Sequence, residues 1–135
     1  MSATEFDAAV IGGGLVGAAA AYGLARADQR VAVFDEGDMA VRASRGNFAL
    51  VWVQSKGLGL PDYAAWTVRS SESWAGFSDD LKAETGLDVS FQRPGGFHLC
   101  LSETEFENRR NMLHRFHNQA GVARYETRMM DRGEI

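Results

Sequence analysis

FDAAVIGGGLVGAAAAYGLARADQRVAVFD, residues 6–35, holds a strand, a tight glycine turn, a helix and a second strand in that order. Phe6 to Ile11 is an apolar run of strand length. Gly12, Gly14 and Gly17 supply G-x-G-x-x-G, and Leu15 to Ala27 reads as helix. Val31 to Phe34 is a second apolar run, closed by an acid, Asp35. Each part suits a dinucleotide. Gly12 permits the sharp turn out of the strand, and Gly14 lets backbone approach a pyrophosphate with no Cβ in the way. Gly17 lets the helix pack closely on the strand, while the helix N-terminus aims N–H groups at phosphate oxygens. Asp35 lies at the distance from the turn where an acid accepts hydrogen bonds from ribose hydroxyls. A bare glycine motif is weak; here the strand, helix and acid that give it meaning are all in place.

Composition bounds the rest. The 135 residues suffice for one modest domain and carry 45% apolar side chains, enough for a core. A formal charge of −4, without a dense basic patch, argues against a nucleic-acid partner. The single cysteine, Cys100, excludes an internal disulfide framework and fits a reducing compartment. No apolar run approaches ~18 residues, so no membrane span is expected. The N-terminus lacks a basic segment followed by an unbroken apolar one, so the expected location is cytoplasmic.

Beyond Asp35, Gly37 and Asp38 turn the chain. Arg42 to Asn47 is small, polar and basic, and Phe48 to Val53 is almost wholly apolar, as a buried strand or a helix segment would be. Lys56 to Pro61 reads as loop. A helix is expected from Pro61, with Trp66, Trp74, Phe77 and Leu81 as its core stripe and Gly86 as its stop. Val89, Phe91, Phe97, Leu99 and Leu101 alternate with polar residues about the turn Arg93-Pro94-Gly95-Gly96, which predicts an antiparallel hairpin with one buried face. Cys100 lies off that face in a structural role. Ser102 and Glu105 form a capping box ahead of a helix with Phe106, Leu113, Phe116 and Ala120 on one stripe and Gly121 as its stop. His114 and His117 share a helix side, but no acid or cysteine completes a metal set, so no metal site is expected. Val122 to Tyr125 reads as a short strand, and Asp131 to Glu134 as another helix start. A single strand–helix–strand unit cannot cover both faces of a parallel sheet, so the chain reads as the N-terminal part of a longer fold.

The segments VIGGGLVGAAAAYGLA, VAVFDEGD, RASRGNFALVWVQSKG and FQRPGGFHLCLSETE together resemble the start of an FAD-dependent amine or amino-acid oxidoreductase. That superfamily includes D-amino-acid oxidase, glycine oxidase and sarcosine oxidase. RASRGNFALVWVQ is most similar to the flavoprotein subunits of hydrogen cyanide synthase and opine oxidases. The resemblance implies an α/β fold: a Rossmann-like FAD-binding βαβ unit, then the start of an α+β substrate domain, incomplete as a fold. The domain boundaries it implies are 1–86 for the FAD-binding part and 87–135 for the first part of the substrate domain.

On matching residues, it implies that the pyrophosphate lies over Gly12, Gly14, Leu15, Val16 and Gly17. Asp35 would meet the adenosine ribose, where the family more often has Glu, with Glu36 close to the same sugar. Arg42, Ala43, Ser44, Arg45 and Asn47 match the segment running beside the pyrophosphate towards the flavin ring. Ala49 stands where relatives commonly carry glycine. The implied chemistry passes hydride from the carbon bearing the amine of a small-molecule amine or amino acid to the flavin, and the imine then hydrolyses. Catalytic residues are not assignable, and other subunits of a hetero-oligomeric dehydrogenase are implied as partners. Two alternatives stay open at this level. Asp35 also suits an NAD-dependent dehydrogenase, although the Arg42–Asn47 segment and the hairpin favour flavin. A truncated product, or a small subunit completing a partner's fold, would be non-catalytic.

Overall fold

The computed structural model describes residues 5–37, 43–47, 49–122 and 124–134. The chain divides into two compact units, Met1–Leu50 and Val51–Ile135.

The first unit is the strand–turn–helix–strand element. Strand β1 (Ala8–Ile11) pairs in parallel with β2 (Val31–Phe34), Ala8 opposite Val31 and Ile11 opposite Phe34. Helix α1 (Leu15–Arg26) connects them. Its alanine-rich sequence has high helix propensity, and its small side chains let it lie close to the strands. The ladder is closed at both ends. Gly12 N donates to Phe34 O at 2.7 Å, and Asp7 N donates to Arg30 O at 2.9 Å. Arg30 also holds the Asp7 carboxylate through Nε at 3.1 Å and Nη2 at 3.0 Å. This pairing lowers the Asp7 pKa below its ordinary value. No described residue of this unit is buried, and Ile11, Val33 and Phe34 are exposed. Two parallel strands with a helix on one side make a partial Rossmann-like unit, because parallel sheets are stable with both faces covered.

The second unit is built on α2 (Pro61–Thr85) and α3 (Glu103–His117). Proline starts α2 and Gly86 ends it in the left-handed conformation, its N–H returning to Lys82 O. Ser102 caps α3 by accepting from Glu105 N at 3.2 Å, and the Glu105 carboxylate accepts from Leu101 N at 2.7 Å. Both ends of α2 and the start of α3 thus fall where local chemistry sets them. Among the described residues the buried apolar side chains are Ala64, Val68, Leu113 and Phe116. The turn over 54–59 is tied to α3 and the residues after it. Arg109 Nη2 donates to Gln54 Oε1 at 2.6 Å, Ser55 N to the Tyr125 hydroxyl at 3.3 Å, and Gly59 N to Gln119 Oε1 at 2.5 Å.

Several expectations are corrected. The buried face of α2 is Ala64, Val68 and Ser71, not the aromatic stripe; Trp66 is exposed, and Trp74 stacks on Phe91 with ring centroids 5.9 Å apart. Small residues face inward because Gly57 closes directly on Ala64, leaving no room for a ring. Phe116 sits fully buried beside Tyr125, at 5.5 Å between ring centroids. Ala120 is exposed beyond the end of α3, which stops at Asn118 rather than at Gly121.

Residues 87–102 form no strand, so the hairpin is absent as such; Phe97, Leu99 and Leu101 are 76%, 69% and 90% exposed. A lone hairpin is marginal in water without a surface to bury its apolar face. Residues 49–53 are neither strand nor helix, and Phe48 lies outside the described residues. Among the described residues of 122–125 there is no strand; Tyr125 instead turns inward onto Phe116 and His117. Residues 132–134 make a turn whose capping contacts match the expected helix start. Asp131 Oδ1 accepts from Gly133 N at 2.7 Å and Glu134 Oε2 from Asp131 N at 3.0 Å.

Candidate functional site: the glycine turn at the start of α1

The site is made where β1 becomes α1. Gly12 leaves the strand at φ 101°, a conformation that favours glycine. Gly14 is the N-cap of α1 and has no side chain to occupy the helix end; the first turn carries no acid. The partial positive charge of the helix N-terminus therefore faces outward without an internal carboxylate in its first turn. Gly17 is packed hardest, since a Cβ there would stand 1.8 Å from the Gly12 carbonyl oxygen and 3.4 Å from Val10 Cγ1. Leu15 and Val16, two of the three variable positions of the motif, are exposed on the first turn.

Two oxygen-bearing side chains close on this turn from later in the chain. The Asp35 carboxylate accepts from Gly13 N through Oδ2 and from Gly37 N through Oδ1, the latter at 2.9 Å. The Ser44 hydroxyl accepts from Leu15 N at 2.9 Å. Ser44 is held there by the short 3-10 turn Ala43–Gly46. So Gly12, Gly14, Leu15, Val16, Gly17, Asp35 and Ser44 come together. Glu36 follows Asp35, exposed, and Arg45 is exposed on the 3-10 turn. Asn47 faces its own backbone, its Oδ1 accepting from Ala49 N at 2.8 Å. Ala49 has φ 58°, a left-handed conformation that suits the glycine expected at that position in relatives. Arg42 lies outside the described residues.

Sequence reasoning passed over Gly13. A Cβ at Gly13 would come within 3.1 Å of Asp35 Oδ2, so glycine is what lets the carboxylate reach the turn. The signal in the sequence is the unbroken run Gly12-Gly13-Gly14, with a glycine at a position the motif leaves free. In the second unit, His114 and His117 line a cavity of about 340 Å³ with Arg110 and Arg124. Among the described residues no group of His, Cys, Asp and Glu gathers in a metal-binding arrangement. No described helix is long and apolar enough to cross a membrane.

A glycine turn feeding a helix whose N-cap carries no side chain, with an acid at the end of the next strand, defines a dinucleotide-binding βαβ unit. The chain belongs to the FAD dependent oxidoreductase family, whose model matches residues 7–135. It is 50% identical over 109 residues to an opine oxidase subunit of Agrobacterium tumefaciens (strain Ach5), an alignment covering 80% of this chain and 29% of that protein. The opine oxidase subunit of the same name from Rhizobium meliloti is 46% identical over 103 residues, 76% of this chain and 28% of that protein. Glycine oxidase of Bacillus subtilis (strain 168) is 28% identical over 108 residues, again 80% of this chain and 29% of the relative. The chain therefore spans under a third of the length of these relatives.

The cofactor of the family is FAD, and the turn fits its diphosphate. Among the described residues the Ser44 hydroxyl alone comes within 4 Å of where a Cβ on Gly14 would stand, at 3.3 Å, so the backbone at the positive helix end is open to close approach beside that hydroxyl.

Proposed function

We propose that this chain provides the FAD-cradling N-terminal part of an oxidoreductase acting on the C–N bond of an amino acid or secondary amine. The observation that carries the reading is the glycine turn leading into α1, whose N-cap Gly14 carries no side chain, in a chain half identical to an opine oxidase subunit over 109 residues. The names of the relatives, opine oxidase and glycine oxidase, support the substrate class. In this reading Gly12, Gly14, Leu15, Val16 and Gly17 hold the diphosphate, with Ser44 beside it. Asp35 and Glu36 face the adenosine ribose, and Arg42, Ala43, Arg45, Asn47 and Ala49 run towards the ring.

When bound, FAD supplies the two-electron acceptor that amino-acid side chains lack. The part played by this chain is to neutralise the diphosphate with backbone N–H groups and hold the adenosine end in register. Residues 1–86 would complete the cofactor-facing portion, and 87–135 would open the substrate domain. The word "subunit" in two relatives' names supports assembly with other chains, and the lone Cys100 supports a cytoplasmic setting.

The test is purification of the protein with its natural partners, followed by flavin absorbance and a panel of glycine, D-amino acids and N-substituted amino acids under an artificial electron acceptor. Bound flavin that is bleached by a member of the panel supports the reading. Absence of flavin after reconstitution with FAD, or flavin inert to every amine, overturns it.

A further inference from the structure

The Asp35 carboxylate does more than end β2. Its two oxygens are both engaged with backbone, Oδ2 on Gly13 N and Oδ1 on Gly37 N. Those contacts bridge the turn after β1 and the turn after β2. Each turn contains a glycine at φ 101°, Gly12 in one and Gly37 in the other. Glycines at such positions cost the most conformational entropy to order, so a turn built from them needs a fastening. Gly12 N on Phe34 O fastens one side, at 2.7 Å. The carboxylate fastens the other, admitted by the missing Cβ of Gly13.

We infer that Asp35 is a positioning residue, its carboxylate tying Gly13 to Gly37 and so holding the glycine turn in its anion-receiving shape before a ligand arrives. The inference rests on the reading of this turn as a phosphate cradle and adds a role separate from any contact between Asp35 and a sugar. The two roles predict opposite signs for a ligand without a sugar. A carboxylate that only accepts from ribose hydroxyls is, for inorganic pyrophosphate, a nearby negative charge, and its removal tightens binding. A carboxylate that shapes the turn makes pyrophosphate binding weaker when it is lost.

The experiment compares wild type, Asp35→Ala and Asp35→Asn as full chains, after circular dichroism has shown each to be folded. Inorganic pyrophosphate is titrated while backbone amide signals are followed, and Gly13 amide exchange is measured without ligand. Positioning predicts that Asp35→Ala binds pyrophosphate about five-fold more weakly or worse, with faster Gly13 exchange. Asp35→Asn, which keeps an oxygen acceptor and loses the charge, binds as well as wild type or better. Tighter or equal pyrophosphate binding by Asp35→Ala overturns the inference, and so does unchanged Gly13 exchange, which needs no ligand. Failure of wild type to bind pyrophosphate overturns the phosphate reading instead, and the exchange rates then decide the positioning role by themselves.

Discussion

A Cβ on Gly17 would stand 1.8 Å from the carbonyl oxygen of Gly12, less than any real non-bonded contact. The start of α1 and the end of β1 are thus in direct backbone contact, and the third glycine of the motif is a packing requirement of this chain. Gly17→Ala must push helix and strand apart. Overpacking of this kind costs about 1–3 kcal/mol, and here no flexible side chain can give way. The expected outcome is a lowered melting temperature and loss of FAD retention together, read by circular dichroism and by flavin absorbance after desalting. An alanine variant that melts like wild type would contradict the packing.

Gly14 predicts a different pairing of effects. Its backbone is unstrained, at φ −70°, and among the described residues a Cβ would meet only the Ser44 hydroxyl, at 3.3 Å. A side chain here can be accommodated by a small shift of Ser44, yet it projects into the space above the helix N-terminus. Gly14→Val should therefore keep most of the stability while abolishing FAD retention. Flavin content equal to wild type would refute the placement of the diphosphate over this turn.

These contrasts show what could be read from the sequence. The glycine turn, the bounds of α1, β2 and α2, and the Ser102 cap depend on neighbours a few residues away, and all were legible. The irregular path of 49–53, where the apolar run suits strand or helix alike, and the absence of the hairpin were not, because alternation in Phe97, Leu99 and Leu101 reports an apolar face without reporting what covers it. The buried stripe of α2 departs from its aromatic periodicity for a related reason. Burial there follows the close approach of Gly57 to Ala64, which no helical periodicity reveals. The site was legible in its glycines and in Asp35. It was illegible in Gly13 and in the Ser44–Leu15 bond, since both depend on side chains returning from 22 and 29 residues away.

Ala49 occupies the left-handed region at φ 58°, fixed by the bond from its N–H to the Asn47 side chain. A non-glycine residue pays about 1–2 kcal/mol there, and glycine in the unfolded chain returns part of that as entropy. Ala49→Gly should stabilise the protein by about 0.5–1 kcal/mol. Chemical denaturation of the two forms measures it. Destabilisation would show that the methyl group makes packing contacts worth more than the strain.

The packing of His117 between Phe116 and Tyr125 gives a pH dependence. Its ring lies 5.8 Å from the first and 4.7 Å from the second. Burial holds the imidazole below its ordinary value of 6.5, and the nearby positive charges of Arg124 and His114 act in the same direction. Among the described residues its Nε2 is enclosed with no hydrogen-bond partner, so a proton added there is poorly satisfied. Because the folded state disfavours the charged ring, the unfolded state binds the proton more readily. The stability linked to His117 is complete above the unfolded value of 6.5 and is lost as pH falls towards the lowered folded value. The Asp7 carboxylate, lowered chiefly by Arg30, acts in a separate and more acidic window, since its contribution is lost only below the ordinary value of 3.8. Urea midpoints should therefore drop for wild type between pH 7.5 and pH 5, and drop less for His117→Phe, which keeps an aromatic ring against Tyr125 without a titrating nitrogen. Identical pH slopes for the two proteins would remove His117 as the source of the dependence.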